Sequence, residues 1–257
     1  MNLRRLEINY EVEPWLHDHA LGGRAVLPAV HSLELLARTV RREIPACRVQ
    51  TMADGRFPRF LELPPDSSRL KLVVELAKLD ADRVRASLCS RKQLGRMSRL
   101  VEHARVIVGG PVGEPPRRPT PEGARLSLDA AEVYREKVPF GPGFQSLTGP
   151  VNLGQDQVWG RVQALAHGQA GVLGSPFPLD GAMHAACVLG QKLVDYIPFP
   201  VGFTCRKLLR PTAPGRAYEF IAWLTGRDGD GLIFDLLLLD GELVMESVTG
   251  LVMRRVW

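Results

Sequence analysis

The sequence has few cysteines, no long apolar run and none of the common nucleotide-binding or hydrolase motifs. Its four cysteines are scattered through 257 residues without a C-x-x-C pair, which favours reduced thiols in a cytoplasmic protein over a disulfide framework or a cysteine-bound zinc site. No apolar stretch approaches the roughly 20 residues of a membrane-spanning helix, so we expect no membrane association. The motifs G-x-G-x-x-G, G-x-S-x-G and the Walker loop are missing, which argues against dinucleotide binding, serine hydrolysis and NTP hydrolysis.

What is present is an ordinary globular composition, with 45% apolar and 24% charged residues. The length allows one large domain or two smaller ones. A net charge of +5 suits an acidic partner, although a solvated basic surface would explain it equally well. We predict no nucleic-acid partner.

A proline-rich segment divides the chain into two similar units. Residues 109–125 contain five prolines without periodicity, which is typical of a linker. On each side an apolar helix precedes strands rich in valine and leucine that form a meander. We expect helices at about 29–43 and 179–196, and strands at 70–76, 83–90, 100–108, 217–224, 232–239 and 242–254. The predicted units are residues 1–112 and 126–257, joined by a linker over 113–125.

Shorter segments are assigned from local signals. We expect a strand or loop at 15–20, a loop with a short strand at 55–68, a short helix at 129–136 and a strand over 151–165.

The first candidate site lies before the first predicted helix. His19 precedes Gly23 by four residues and Pro28 by nine, and proline is favoured at the start of a helix. Glycine lets backbone come close to a ligand, and the N–H groups at a helix start favour a developing negative charge. We expect His19 to be a base beside an oxyanion site formed by backbone around Gly23.

The second candidate site is the pair Asp180 and His184. Their i, i+4 spacing places both side chains on one face of the second predicted helix. Apolar neighbours make Asp180 a candidate acid, although an aspartate near a helix start is also a common N-cap.

These residues, with the run FGPGFQ from Phe140 to Gln145, resemble the dehydratase domains of modular polyketide synthases in order and spacing over nearly the whole chain. Two positions depart from that family: Ala29 stands where it usually has glycine, and Phe140 where it often has tyrosine. The resemblance implies an α+β double-hotdog fold, in which two tandem antiparallel sheets each wrap a central helix. It also implies that Gly23, Pro28, Phe140, Gly141, Pro142 and Gln145 bind substrate.

The activity implied is a hydro-lyase reaction that removes water from a β-hydroxyacyl thioester in polyketide or fatty-acid-like biosynthesis. His19 would abstract the α-proton, Asp180 would protonate the departing hydroxyl, and His184 would hold that carboxyl or the hydroxyl. Asp180 would then have to be protonated near neutral pH, with its pKa raised by apolar burial. We expect the two catalytic side chains to face each other in one tunnel whose walls include Gly23, Phe140, Pro142 and His184.

Neither a cofactor nor a metal is expected, because the thioester itself makes the α-carbon acidic. A metal site from His17, His19, Asp180 and His184 is conceivable, but no spacing demands it. The substrate would arrive on the phosphopantetheine arm of an acyl carrier protein, and a homodimer is possible. Carrier proteins are acidic, so we consider two basic clusters: Arg38, Arg41, Arg42 and Arg48, and the favoured Arg206, Lys207 and Arg210.

Two other functions remain open from sequence. The same acid and base would serve a cyclase, for example a pyran-forming one, or a double-bond isomerase. A non-catalytic double-hotdog binding module is the alternative from another class.

Overall fold

The computed structural model describes residues 3–95, 97–121, 123–167 and 170–256. In that part of the chain twelve strands form one antiparallel sheet, in the order β1-β5-β6-β7-β4-β11-β14-β13-β12-β10-β9-β8. The first strands of this sheet are β1 (Leu3–Glu11), β4 (Thr51–Arg56), β5 (Arg69–Lys78), β6 (Arg83–Leu94) and β7 (Met97–Gly109). The others are β8 (Leu126–Asp129), β9 (Leu147–Leu153), β10 (Gln157–Gln163), β11 (Phe199–Leu208), β12 (Ala217–Asp228), β13 (Gly231–Asp240) and β14 (Leu243–Arg254). A separate hairpin consists of β2 (Ala20–Leu21) and β3 (Arg24–Ala25).

The sheet is continuous because one strand of each half pairs across the middle. β4 pairs with β11 in antiparallel register, with Met52 opposite Arg206 and Ala53 opposite Cys205. All strands before β4 in the sheet order come from residues 3–109, and all after it from residues 126–254. The sheets of the two halves therefore form one extended surface. The proposed limits at 112 and 125 stay a prediction.

Two long helices lie against this sheet, α1 (Ala29–Glu43) and α3 (Phe177–Leu193). α1 begins after Pro28 and buries an apolar stripe against β5, β6 and β7, while Arg38, Arg41 and Arg42 are exposed. α3 is buried from residue 177 to residue 190 and packs on β9, β10, β12 and β13. A helix that is apolar on almost every side must be enclosed, and the sheet of the second half covers α3. No helix in the described parts of the chain is long and apolar enough to span a membrane.

The architecture is the predicted α+β double hotdog, with local differences. The strand expected over 151–165 is instead a hairpin of β9 and β10, because Gly154 N–H bonds to the carbonyl of Gln157 at 2.8 Å and turns the chain. The segment expected to be a strand or loop at 15–20 contains a 3-10 helix, Pro14–Asp18. The short helix near 129–136 is α2 (Ala130–Glu132), capped by the Asp129 carboxylate and continued by a π turn, Val133–Lys137.

The proline-rich linker contacts the second half of the molecule. The carbonyl of Glu114 accepts a hydrogen bond from Nζ of Lys207 at 2.5 Å. Arg118 lies 3.9 Å from a carboxylate oxygen of Glu219 and 3.8 Å from one of Glu242. These contacts hold the linker to β11, β12 and the β13–β14 turn.

Candidate active site

A cavity of about 280 Å³ lies between the two halves. Its walls are largely apolar and come from both sides of the sheet junction. They include Leu27, Phe57, Phe60 and Leu61 from the first half and Val138, Phe140, Met183 and Phe199 from the second. The side chains of His19, Asp180 and His184 line the same space. Their nearest ligand-type atoms all lie within 4.8 Å of one another.

A glycine turn places His19. Gly22 and Gly23 have φ values of +56° and +78°, the left-handed pair that a tight two-residue hairpin requires. The turn brings Val26 back beside His19, whose carbonyl accepts the Val26 N–H at 3.0 Å. In return, Nδ1 of His19 lies 2.9 Å from the Val26 carbonyl oxygen. A carbonyl only accepts, so Nδ1 carries the hydrogen, and in the neutral ring Nε2 keeps its lone pair.

Burial keeps the His19 ring neutral. Loss of water around the imidazole lowers the pKa of His19 to about 4, although Asp180 opposes that change. The ring also stacks on Phe140, with centroids 4.2 Å apart and planes inclined by 26°. A neutral, fixed imidazole with a free Nε2 is what a general base needs at neutral pH.

Asp180 and His184 lie side by side in the first turns of α3. Oδ2 of Asp180 is 3.1 Å from Nε2 of His184, and both side chains are buried. Burial raises the pKa of Asp180, but the imidazoles of His184, His19 and His31 lower it, and the net direction is downward. The expectation that burial alone keeps this carboxyl protonated near neutrality is therefore wrong. The carboxyl of Asp180 and the imidazole of His184 are close enough to share a proton.

The FGPGFQ loop is docked on the residue before His19. Gly141 N–H bonds to the Asp18 carbonyl at 2.8 Å, and Gly143 N–H bonds to the Asp18 carboxylate at 2.7 Å. A Cβ at Gly141 would lie 2.6 Å from the Asp18 carboxyl carbon, so this close approach requires glycine. The side-chain amide of Gln145 holds the Phe140 carbonyl at 2.9 Å. The loop thus links the second half to the segment that carries His19, and no sequence signal marked Asp18.

Of the residues predicted to bind substrate, only Phe140 lines the cavity. Gly23 lies in the exposed hairpin turn and is not part of the cavity wall, where Gly22 and Ala29 lie instead; the backbone oxyanion role predicted for Gly23 stays a prediction. Pro28 precedes the first residue of α1. Pro142, expected in the tunnel wall, begins a short 3-10 helix outside the lining, and Gly141 and Gln145 support the loop as described.

The favoured basic cluster is not a surface patch. Arg206 is only 4% exposed, and its Nε donates to the carboxylate of the equally buried Glu246. Lys207 is engaged with the linker carbonyl of Glu114, which leaves Arg210 as the exposed member. The alternation of side chains along β11 turns Arg206 inward, so the prediction of a docking surface there is wrong.

Tyr134 is a site residue that sequence reasoning missed. Its hydroxyl accepts the Leu147 N–H at 3.0 Å and lies 3.3 Å from Nδ1 of His184. Burial raises the pKa of Tyr134 far above its usual value, so the phenol stays protonated and has its own hydrogen for Nδ1. When the phenol donates to Nδ1, the neutral His184 ring carries its hydrogen on Nε2, toward Asp180. The only sequence signal for Tyr134 is that it is an aromatic residue six positions before the FGPGFQ run.

We expect Tyr134→Phe to lower kcat by less than about 10²-fold, because the phenol positions His184 without contacting the reacting atoms. Losing a general acid or base itself typically costs at least that much. Unfolding in urea should show a loss of about 1–3 kcal/mol, because the Leu147 N–H is left buried without an acceptor. Tyr218→Phe is the matched control: its hydroxyl accepts the Ala213 N–H at 2.8 Å and does not line the cavity. That variant should lose similar stability and keep kcat. Equal kcat losses in the two variants would contradict a positioning role for Tyr134.

Comparison with known proteins agrees with this geometry. The family model described as "Polyketide synthase dehydratase domain" matches residues 4–91, and the one described as "Polyketide synthase dehydratase N-terminal domain" matches residues 112–256. The chain belongs to the polyketide synthase dehydratase family. It is a dehydratase, and therefore a hydro-lyase. No curated protein sequence matches it significantly.

Solved dehydratase domains share the fold of this dehydratase. One from a mycocerosic acid synthase-like polyketide synthase superposes with a TM-score of 0.77 at 19% identity, covering 98% of this chain and 91% of that one. A trans-AT polyketide synthase dehydratase domain from Brevibacillus brevis gives 0.77 at 17% identity, with coverages of 99% and 94%. A monomeric dehydratase domain from a trans-AT split module gives 0.79 at 12% identity over 100% of both chains.

Proposed function

We propose that this dehydratase eliminates water from a β-hydroxyacyl thioester carried on the phosphopantetheine arm of an acyl carrier protein. The observation that supports it best is that an imidazole with a free Nε2 and a carboxyl–imidazole pair converge within 4.8 Å in one apolar cavity. Removing a proton from one carbon and a hydroxyl from the next requires a base and an acid at this separation.

His19 takes the α-proton on Nε2, because Nδ1 is committed to the Val26 carbonyl. As the α C–H bond breaks, negative charge develops on the thioester oxygen. The first turn of α1 has N–H groups without intrahelical acceptors, and Ala29 at that turn lines the cavity. We assign the stabilisation of the oxyanion to this helix start.

The Asp180–His184 pair supplies the proton for the departing hydroxyl. The C–O bond breaks, the α,β double bond forms, and the hydroxyl takes the proton that the pair shares between Oδ2 and Nε2, which lie 3.1 Å apart. Transfer of the α-proton from His19 to the pair then restores both groups. All groups in this sequence are side chains and backbone of the chain, so the proposal includes no cofactor.

The charges at the cavity mouth suit the phosphate of the carrier arm. Arg59 and Lys137 both line the cavity. Arg59 is exposed, and Lys137 is half-buried. Beside them Ile197 is 45% exposed, which offers an apolar contact. Since the cluster at Arg206 is excluded, we place the carrier at this mouth.

A cytoplasmic location, favoured by four cysteines that are free, belongs to the same proposal, and the homodimer stays a prediction.

The central test is mass spectrometry of a 3-hydroxyacyl pantetheine thioester incubated with the dehydratase. We expect the acyl group to lose the mass of one water. Conversion of an unsaturated hydroxyacyl thioester without a change in mass would indicate a cyclase, and no conversion of either substrate would indicate a binding module.

A second experiment addresses the carrier. We expect Arg59→Glu and Lys137→Glu to lower turnover of a carrier-bound substrate by more than they lower turnover of the small pantetheine thioester, and the difference should shrink as salt screens the charges. Arg99→Glu, an exposed arginine on β7 that belongs to neither basic cluster and does not line the cavity, is the control and should change neither rate. Equal effects on both substrates would remove the mouth as the carrier site.

The pH dependence follows from His19. A base with a pKa of about 4 loses activity only as pH falls through that value, so we expect the acid limb of kcat/KM near pH 4 rather than near 6.5. Stability should also decline from about pH 6.5 to 4, because the unfolded chain binds protons at His19 and His31 that the folded chain does not. Circular dichroism should therefore be recorded at each pH to separate the two effects. An acid limb near 6.5 on a folded protein would contradict a neutral buried base.

A further inference from the structure

The three catalytic side chains together form a donor set of two imidazole nitrogens and one carboxylate. Zn²⁺ binds these groups, at about 2.0–2.2 Å each, in many protein sites. The ligand-type atoms of His19, Asp180 and His184 all lie within 4.8 Å of one another. Donors around a tetrahedral zinc ion are about 3.3 Å apart for such bond lengths, so small side-chain rotations suffice.

The outer contacts of the two histidines are those that metal-binding histidines usually have. A ligating imidazole normally has its second nitrogen held by a carbonyl, a carboxylate or another polar group, which fixes the ring. His19 has its Nδ1 on the Val26 carbonyl at 2.9 Å, and His184 has its Nδ1 3.3 Å from the Tyr134 hydroxyl. His19 therefore presents Nε2 as its ligand atom, and His184 does so in the tautomer whose Nδ1 accepts from the Tyr134 hydroxyl only after Nε2 has lost its hydrogen to the metal-free pair or, in the other neutral tautomer, donates from Nδ1 to the Tyr134 oxygen.

The atoms of Asp180 and His184 that would bind the metal do not form a well-aligned hydrogen bond with each other. Nε2 of His184 and Oδ2 of Asp180 are 3.1 Å apart but poorly aligned, and within the described residues neither has a hydrogen bond of good geometry. Both side chains are buried, His184 at 5% and Asp180 at 6% exposure. Buried polar atoms without well-aligned partners are unusual, and a cation between them would satisfy both.

We propose that these residues form an inhibitory divalent-metal site, in which Nε2 of His19, a carboxylate oxygen of Asp180 and Nε2 of His184 bind Zn²⁺. The bound ion occupies the Nε2 lone pair of His19, which takes the α-proton. It also occupies the carboxylate of Asp180, which helps to protonate the departing hydroxyl. It therefore blocks both proton transfers and competes with the acyl thioester. Zn²⁺ binding depends on the donor set alone, whereas inhibition rests also on the proposed function.

Binding is tested without reference to activity. Dehydratase treated with a chelator and dialysed is titrated with ZnCl₂ in a calorimeter, and with CoCl₂ while the visible absorption of four-coordinate cobalt is followed. We expect one ion per chain. His19→Ala, Asp180→Asn and His184→Gln should each weaken binding more than about 100-fold, beyond the effect of losing an outer partner, and Tyr134→Phe by about 10-fold.

The matched control is His17→Ala, a histidine two residues from His19 that does not line the cavity; it should bind zinc like the wild type. Circular dichroism checks that each variant is folded, and three separate ligand variants keep the test decisive if one is not. No binding, or binding unchanged in the three ligand variants, would overturn the site.

Kinetics test the inhibitory role separately. Zn²⁺ should raise KM for the pantetheine thioester without lowering kcat, and chelator-treated enzyme should be fully active. A chelated enzyme that is inactive until zinc is restored would overturn inhibition and make the ion a cofactor. If chelated enzyme is inactive with and without zinc while the ion still binds, the proposed function fails and the binding site stands.

Discussion

Replacing His19 with alanine should lower the dehydration rate by about 10²–10⁴-fold, the usual effect of removing a general base. Its Nε2 is the free imidazole nitrogen facing Asp180, because Nδ1 is fixed on Val26. Asp180→Asn should be similarly inactive, since an amide neither holds nor delivers the proton. The measurement is single-turnover loss of water from a 3-hydroxyacyl pantetheine thioester.

The fold should survive the His19 substitution. The side chain contributes one hydrogen bond and a stacking contact with Phe140, and it lines a cavity instead of filling the core. His17→Ala serves as the control, with unchanged rate and a matching circular dichroism spectrum. Near-wild-type dehydration by a folded His19→Ala protein would show that another group is the base.

The largest stability effect is expected from the ion pair at the junction of the two halves. Arg206 on β11 and Glu246 on β14 are 4% and 1% exposed, and the guanidinium also lies 3.9 Å from the sulfur of Met52 on β4. Removing one partner leaves the other charge buried and unpaired, which typically costs about 3–5 kcal/mol. We therefore expect Glu246→Leu to lower the free energy of unfolding by about that amount in urea titrations.

The double variant Arg206→Met/Glu246→Leu separates the pair from the packing around it. Apolar replacement of both members is often neutral or stabilising, so this variant should recover most of the loss. Arg210→Glu, an exposed neighbour on the same segment, should change stability by less than about 0.5 kcal/mol. A Glu246→Leu protein as stable as the wild type would mean that water reaches Arg206.

Local pattern was enough to predict much of the fold. The bounds of α1 follow from a proline at one end, Pro45 beyond the other and an apolar stripe between. The closing meander follows from valine- and leucine-rich runs separated by turns such as Asp240-Gly241. The spacing of Asp180 and His184 placed them on one helix face. Each of these signals lies within a few residues along the chain, where periodicity and turn chemistry act.

Local pattern does not predict the strand at the junction of the two half-sheets. β4 is short, carries a glycine and two charged residues, and has no alternation, so it was not predicted. It is a strand because β7 and β11 supply its hydrogen-bond partners. The side of β11 that faces inward is likewise set by this pairing, which buries Arg206 in what had been expected to be a surface cluster.

By itself the sequence predicted the two central helices from short-range pattern, and it predicted the double-hotdog class and the three titratable residues of the cavity through the motifs that resemble the dehydratase family. Only the tertiary structure decided what surrounds those residues. Gly23 turns a hairpin, Asp18 anchors the loop after Phe140, and Tyr134 holds His184. It also decided the downward direction of the Asp180 pKa, because burial of the carboxyl is opposed by His184 on the same helix and by His19 and His31 from another segment. Such balances depend on distances in space, which the order of residues does not contain.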